Sequence, residues 1–453
     1  MAVIKKSEKA CSVYPLKLSQ PLGAVYAFLG IKGCMPIMHG SQGCAAFAKT
    51  FLTRNFWENI PIQTTALSEI ATIMGDDENL HTALKSVIDK NKPELIGLVT
   101  TGVSETRGDD VTGSLLRFKE QYPEYTNQKI VYVSTPDYEG SFHEGYKKVL
   151  LSTLKTLTGK PYRRREGQIN LILGYNHTSG DVDFLKRVVE SFGLKPVVFP
   201  DLSSMDGASK GFSSITTYGT SVEDIETMNA STITIAVGDS TKEAGEYLEK
   251  SFMIPMFYFD SLMGLENFDR FVRLLINISG KEPEWWLKRW RDRLLDAMVD
   301  THFYLTGRSL GIAGEPDTVF SFSDFLSREM GMRISVAVSS TSGECLNSLS
   351  VEEIIIGDLE DILLSGKNID LLIGNTNLRH ITRRLKVPHY RAGIPIFDRL
   401  GHFLRCRVGY QGTAELLFDL ANMIMEREEE ESYRVPEHVR RYRDESGFCN
   451  QEP

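Results

Sequence analysis

LIGLVTTG (residues 95–102) is a short apolar run that closes on small residues, the pattern of a parallel strand buried on both faces. SETRGDDVTGSLLRFKEQY follows, with Asp109 or Asp110 placed to cap a helix that carries Leu115, Leu116 and Phe118. KIVYVSTPDYEGS then supplies another strand with a glycine-containing loop at its carboxyl end, and helical spacing resumes over residues 143–157. Strand, helix, strand, helix predicts a parallel sheet covered on both faces.

The same rhythm extends in both directions. Upstream, a polar N-terminal arm leads into PLGAVYAFLGI, a predicted helix closed by Gly30. A loop, PIMHGSQGC (residues 36–44), comes next, followed by predicted helices over 45–55 and 78–90. Downstream, the basic segment GKPYRRREGQ marks a boundary, and the pattern restarts with INLILG, a helix over 181–192, KPVVFPD, TITIAVG and IPMFYFD. A helix over 268–278 and the tryptophan-rich EPEWWLKRWRDRLLDAMVDTHFYL, read as a long amphipathic connecting helix, lead to a third restart. RSLGIAGEP, RISVAVSS, VEEIIIGD, IDLLIGN and VPHYRAG are its strands, SFSDFLSREMG a helix, and GTAELLFDLANMIMEREEE closes the chain before a charged arm. The expected fold is α/β: three Rossmann-like doubly wound parallel-sheet domains in series, over residues 1–160, 161–285 and 286–453. Neither GxGxxG nor GxxxxGK[ST] is present, and GDSTKEAGE (residues 238–246) reads as a strand-to-helix turn rather than a nucleotide site.

Composition narrows the function. A net charge of −9 over 453 residues, with no basic arm, argues against nucleic acid as a partner. The six cysteines, Cys11, Cys34, Cys44, Cys345, Cys406 and Cys449, are too sparse for a disulfide framework, and no two have CxxC spacing. There is no apolar leader and no run of membrane-spanning length, so the expectation is a soluble cytoplasmic protein with no membrane partner.

Ligands of doubly wound sheets sit at the carboxyl ends of the strands. Four loops belong there in the first unit: LSQPLGA (18–24), HGSQGC (39–44), TTGVSETRGDD (100–110) and STPDYEGS (134–141). Gly40 and Gly43 let backbone come close to a bulky group, and Cys44 falls at a helix start, where the dipole favours a thiolate. Such a thiolate is a nucleophile or a soft-metal ligand, although a buried thiol in a tight turn is the commoner use of an isolated cysteine. His39 reads as a hydrogen-bonder behind the loop, Cys34 as a buried thiol, and Cys345 and Cys406 as structural.

IMHGSQGC and SETRGDDV, supported by PIQTTALSEI and HYRAGIPIFD, carry a resemblance to the nitrogenase component 1 family over most of the chain. Within it, the sequence is most similar to the β-like subunit of the scaffold on which the iron–molybdenum cofactor matures. The catalytic β subunit of that family has three cysteines in loops matching the first three above; here the positions hold Ser19, Cys44 and Gly102. An iron–sulfur cube takes four ligands, usually thiolates. The resemblance therefore implies a 4Fe-4S cluster shared with a NifE-like α subunit in an α2β2 heterotetramer, with Cys44 the metal ligand from this chain. It puts Ser19 at a ligand position as an oxygen donor and Ser141 beside the cluster. It also implies an iron–molybdenum cofactor precursor supplied by NifB and held mainly by the partner, transient docking of the Fe protein NifH, and no enzymatic activity for the chain alone. The competing readings are a catalytic nitrogenase β subunit, a dark-operative protochlorophyllide reductase subunit, and a metal-free α/β binding module.

Overall fold

Strand pairing in the computed structural model is parallel throughout, in three separate sheets; the structure describes residues 3–68, 77–159, 163–207, 211 and 213–432. The fourteen strands start with β1 (Val3–Lys6). The first sheet has the order β3-β2-β4-β5, from β2 (Cys34–His39), β3 (Gln63–Thr64), β4 (Leu95–Thr100) and β5 (Lys129–Val133). The second has the order β7-β6-β8-β9, from β6 (Gln168–Leu173), β7 (Lys195–Phe199), β8 (Ile233–Val237) and β9 (Met256–Phe259). The third runs β1-β12-β11-β10-β13-β14, from β10 (Ser309–Gly314), β11 (Arg333–Ser339), β12 (Glu353–Ile356), β13 (Leu371–Gly374) and β14 (His389–Arg391). The doubly wound α/β class expected from the sequence is therefore the observed one.

Three strands differ from expectation: β1, β2 and the two-residue β3, which pairs with β2, Ile37 opposite Gln63 and Met38 opposite Thr64. Residues 36–39, read from the sequence as part of the loop that ends at Cys44, instead belong to the central strand β2, which is buried at every residue and paired with β4 from Cys34 opposite Leu95 to His39 opposite Thr100. Its sequence, CMPIMH, has one β-branched residue and a proline, which disguise it. The polar N-terminal arm contains β1, which pairs with β12 at the edge of the third sheet, Val3 opposite Glu353. Three of its four residues are exposed, so it lacks the apolar alternation that marks a strand. The C-terminal arm, with Cys449, and the end of PIQTTALSEI lie outside the described residues.

The helices fill the sheet faces. Around the first sheet lie α1 (Gln20–Leu29), α2 (Gln42–Phe56), α3 (Asp77–Asn91), α4 (Gly102–Arg107), α5 (Val111–Gln121) and α6 (Phe142–Leu157). Helix α1 is buried at all ten residues, and it packs on α6. Gly23 and Gly145 permit that approach: a Cβ on Gly23 would overlap the Phe142 carbonyl, and one on Gly145 the Gln20 carbonyl. The second sheet carries α7 (Ser179–Ser191), α8 (Val222–Glu226), α9 (Lys242–Phe252) and α10 (Leu265–Ser279). The tryptophan-rich helix is α11 (Trp285–Leu305); Trp286 and Trp290 pack against the core, whereas Trp285 is exposed. After α12 (Pro316–Arg328), α13 (Glu360–Leu364) and α14 (Arg379–Leu385), the closing helix α15 (Gly409–Ser432) lies along α11.

Apolar cores are shared between neighbouring sheets. One joins Phe28, Phe142 and Tyr146 of the first unit to Ile172 and Phe199 of the second; a larger one joins Leu171 and Phe268 to Ile312 and Phe325 of the third. Each fully buried side chain of this size contributes roughly 1.5–3 kcal/mol, so the cores resist relative movement of the sheets. Among the described residues no helix is long and apolar enough to cross a membrane.

Candidate functional site

Strands β2 and β4 lie side by side, so the turns that follow them, at Gly40 and Thr101, emerge together. A Cβ on Gly40 would overlap the Thr101 side chain, so the absence of one lets the two turns touch. Thr101 Oγ1 and Ser104 Oγ both donate to the His39 carbonyl, at 3.1 and 2.8 Å. The His39 ring is buried and uses both nitrogens: Nδ1 lies 3.0 Å from Thr65 Oγ1 and Nε2 3.1 Å from Asp109 Oδ2. Arg107 pairs with the same Asp109 carboxylate. His39 is thus the hydrogen-bonder behind the loop that the sequence suggested.

On this support α2 begins. Ser41 is its N-cap residue in extended conformation, and Cys44 is its third helical residue, among N–H groups that have no intrahelical partner. The thiol is free and half-buried, and Ser41 Oγ lies 3.4 Å from its Sγ. Ala45 and Ala48 face the core, while Gln42, Gly43, Ala46 and Phe47 are exposed, Phe47 by 63%. Cys44 therefore stands on the line between core and surface, beside an uncovered aromatic ring.

The two matching positions meet elsewhere on the rim. Ser19 caps α1, its Oγ accepting the Leu22 N–H at 3.3 Å. The next residue, Gln20, donates its N–H to Asp137 Oδ1 at 3.0 Å. Gly102 opens α4, and a Cβ there would lie 3.8 Å from Asp137 Cβ, an ordinary contact. Burial pushes the Asp137 carboxyl up from its usual range against the pull of the Gln20 N–H and Lys17. Asp137 thus links the Ser19 and Gly102 loops, and the Gly40–Thr101 contact sets the Cys44 loop alongside. Among the described residues no three His, Cys, Asp or Glu side chains gather as a metal site.

The sequence also matches known proteins. The model of the nitrogenase component 1 type oxidoreductase family fits residues 19–425. The chain belongs to the nitrogenase component 1 family. Among its members, the nitrogenase iron-molybdenum cofactor biosynthesis protein NifN of Bradyrhizobium diazoefficiens is 41% identical over 447 residues, covering 97% of this chain and 95% of the relative. NifN of a Nostoc species is 42% identical, covering 95% and 97%. Among solved structures of the nitrogenase family, one titled nitrogenase Cp1 at pH 6.5 superposes with a TM-score of 0.88 at 29% identity, covering 95% of this chain and 96% of that one. The family match begins at Ser19, the cap of α1, so the β1 strand lies outside it.

This nitrogenase component 1 chain has a second polar concentration, buried where its three sheets meet. Ser141, caps α6, is fully buried, and has its hydroxyl 2.8 Å from Glu144 Oε2 and 2.9 Å from Glu315 Oε2. It also accepts the His143 N–H at 3.2 Å. The structure thus gives Ser141 an internal use, locking α6 to the loop after β10, instead of placing it at the surface with Cys44. Burial pushes the Glu315 carboxyl up to about 7, so near neutral pH it carries a proton for much of the time.

Next to it, His143 Nε2 pairs with Asp239 Oδ2 at 3.2 Å, and Nδ1 lies 3.1 Å from Tyr175 Oη. Burial opposes the charge on His143, but Asp239, Asp317 and Glu144 outweigh it and raise its pKa. Asp317 accepts the Asp239 N–H at 2.8 Å and the Ser240 hydroxyl at 2.6 Å. A side chain from the third unit therefore occupies the glycine turn of GDSTKEAGE. Sequence reasoning missed this junction. The acids of GEPD look like ordinary first-turn helix residues, and their partners lie 77 or more positions away.

Proposed function

We propose that this chain is the β-like half of a cytoplasmic scaffold on which the nitrogenase iron–molybdenum cofactor is assembled, and that Cys44 is its one ligand to a 4Fe-4S cluster shared with a NifE-like α subunit in an α2β2 complex. The observation that carries the reading is a free, half-exposed thiol in the first turn of α2, on a rim whose two companion positions are Ser19 and Gly102. The relatives' name, cofactor biosynthesis protein, supports the assembly role. One thiolate cannot hold a cube, so the other donors belong to the partner. Ser19, already capping α1, stands at the rim as a weak oxygen donor, and Ser141 acts from behind through α6.

A bound cluster of this kind supplies one-electron transfer. The chain's residues do the holding: the Gly40–Thr101 contact sets the turn, Ser41 lies against the sulfur, and the α2 dipole favours the thiolate. Exposed Phe47 and Gln42 belong to the surface a partner covers, and helix ends beside them would receive the Fe protein. The iron–molybdenum precursor, delivered by NifB, sits mainly in the partner. We place the unit boundaries near residues 160 and 285, with β1 crossing to the third sheet. A catalytic β subunit is disfavoured because Gly102 offers no donor atom.

The test is co-expression with the α-like partner, followed by iron analysis and electron paramagnetic resonance of the reduced complex. Cys44→Ala should lose most of the cluster signal while the complex still melts cooperatively. Unchanged iron and an unchanged spectrum in that variant would refute the assignment, and an eight-iron cluster in the native complex would return the chain to the catalytic class.

A further inference from the structure

The three sheets do not close completely on one another. A cavity of about 40 Å³ remains at their junction, lined by Tyr26 and Phe56 of the first unit, Asn176 of the second, and Glu315, Phe403 and Arg407 of the third. A buried water needs roughly 10–15 Å³ measured in this way, so the space suits about three waters or a solute of about four heavy atoms. It lies at the carboxyl ends of β6, β10, β13 and β14, where doubly wound sheets hold ligands.

Its polar lining is incomplete. Arg407 is 5% exposed, and among the described residues no carboxylate lies within ion-pair distance of its guanidinium. The guanidinium donates from one terminal nitrogen to the Arg391 carbonyl at 2.9 Å and stands 5.7 Å from the Tyr390 ring centre, but its Nε–H has no acceptor. Asp181 is already held by the backbone N–H groups of Thr178, Arg407 and Val408. Asn176 points its amide N–H₂ at Ser321 Oγ, at 3.2 Å, which leaves its Oδ1 buried without a donor. Glu315 also lines the space, with Ser141 and Ser340 against its carboxyl. A buried cation without a counter-charge costs several kcal/mol, and each buried polar atom without a partner costs about 1–3 kcal/mol.

We propose that this cavity is a binding site for a small oxyanion that also carries an O–H group, such as bicarbonate, hydrogen phosphate or a two-carbon hydroxy acid. One anionic oxygen accepts from Arg407 Nε, and the hydroxyl donates to Asn176 Oδ1. Glu315 supplies a further polar contact, and the rings of Tyr26, Phe56 and Phe403 exclude bulk water. The site is separate from Cys44 and does not depend on the cluster assignment.

Equilibrium dialysis of the co-expressed complex against labelled bicarbonate, phosphate and glycolate, at constant ionic strength, tests it. One equivalent per chain of at least one probe should be retained, and tenfold nitrate, which has no O–H, should not displace it. Asn176→Ala should weaken binding about 2- to 12-fold, the range for one hydrogen bond. Arg407→Lys keeps the charge but loses the Nε donor, and should weaken it at least as much. Asn176→Ala removes a half-exposed side chain and decides the matter if the arginine variant fails to fold. Retention of none of the three probes overturns the proposal, as does retention unaltered by Asn176→Ala.

Discussion

The Cys44 rim and the Glu315 junction are both built from loops at the carboxyl ends of strands, but they are finished differently. At the rim the thiol has Ser41 Oγ 3.4 Å away, Gly102 leaves room beside Asp137, and Phe47 is bare. At the junction the Asp317 carboxylate takes up the turn of the second sheet, while His143, Tyr175 and Asp239 satisfy one another. This network is satisfied within the chain and ties the units together. The rim is left more open, with a half-buried thiol and an exposed aromatic ring, which is the surface the proposed partner would cover.

That contrast can be broken from either side. The largest effect should come from Asp317→Ala, which leaves the buried Asp239 N–H and Ser240 hydroxyl without their acceptor; breaking a buried charge network costs roughly 3–5 kcal/mol, read as a lower urea midpoint of the complex. Cys44→Ala should change that midpoint little while removing iron. Equal loss of stability in both variants would erase the distinction. Next is Gly40→Ala, whose methyl must displace Thr101; overpacking of this kind costs roughly 1–3 kcal/mol and should also lower iron content by moving the turn.

A smaller effect sharpens the electrostatic half of the comparison. The Glu315 carboxyl is pushed up to about 7 in the folded chain from about 4.5 when exposed. Between those values the folded state holds the extra proton, so its contribution to stability falls as pH rises from about 4.5 to 7. The raised pKa of His143 acts in the same direction above its ordinary range. Glu315→Gln should flatten the slope in pH-resolved denaturation; an unaltered slope would mean that Glu315 is ionised in the fold. The smallest effect is expected of Gly102→Cys, since a Cβ meets only Asp137 at 3.8 Å. Its midpoint should shift by no more than about 0.5 kcal/mol, measured in the same urea series.

Much of this was legible because it is local. LIGLVT, INLILG and TITIAV announce buried strands, Gly30 closes α1, and Asp110 caps α5 with its carboxylate on the Gly113 N–H. Cys44 stood out as a thiol at a helix start, and so it is placed. Residues 36–39 were misread because Pro36 and the methionines beside it do not look like a central strand, yet β4 on one side and β3 on the other bury them. The resemblance put Ser141 beside a cluster, but its bond to Glu315 spans 174 residues, beyond any local pattern.

By itself the sequence determined the alternation of apolar strands and amphipathic helices, hence three parallel sheets, and the thiol at the start of the helix after the Gly40 turn. These follow from side-chain periodicity and from caps that act over three or four residues. The tertiary structure alone decided that β1 crosses to the third sheet, that Asp317 occupies the second sheet's turn, and that Arg407 faces a cavity without an ion partner. Those outcomes depend on which desolvated groups meet when distant segments pack, and burial rather than spacing sets their energies.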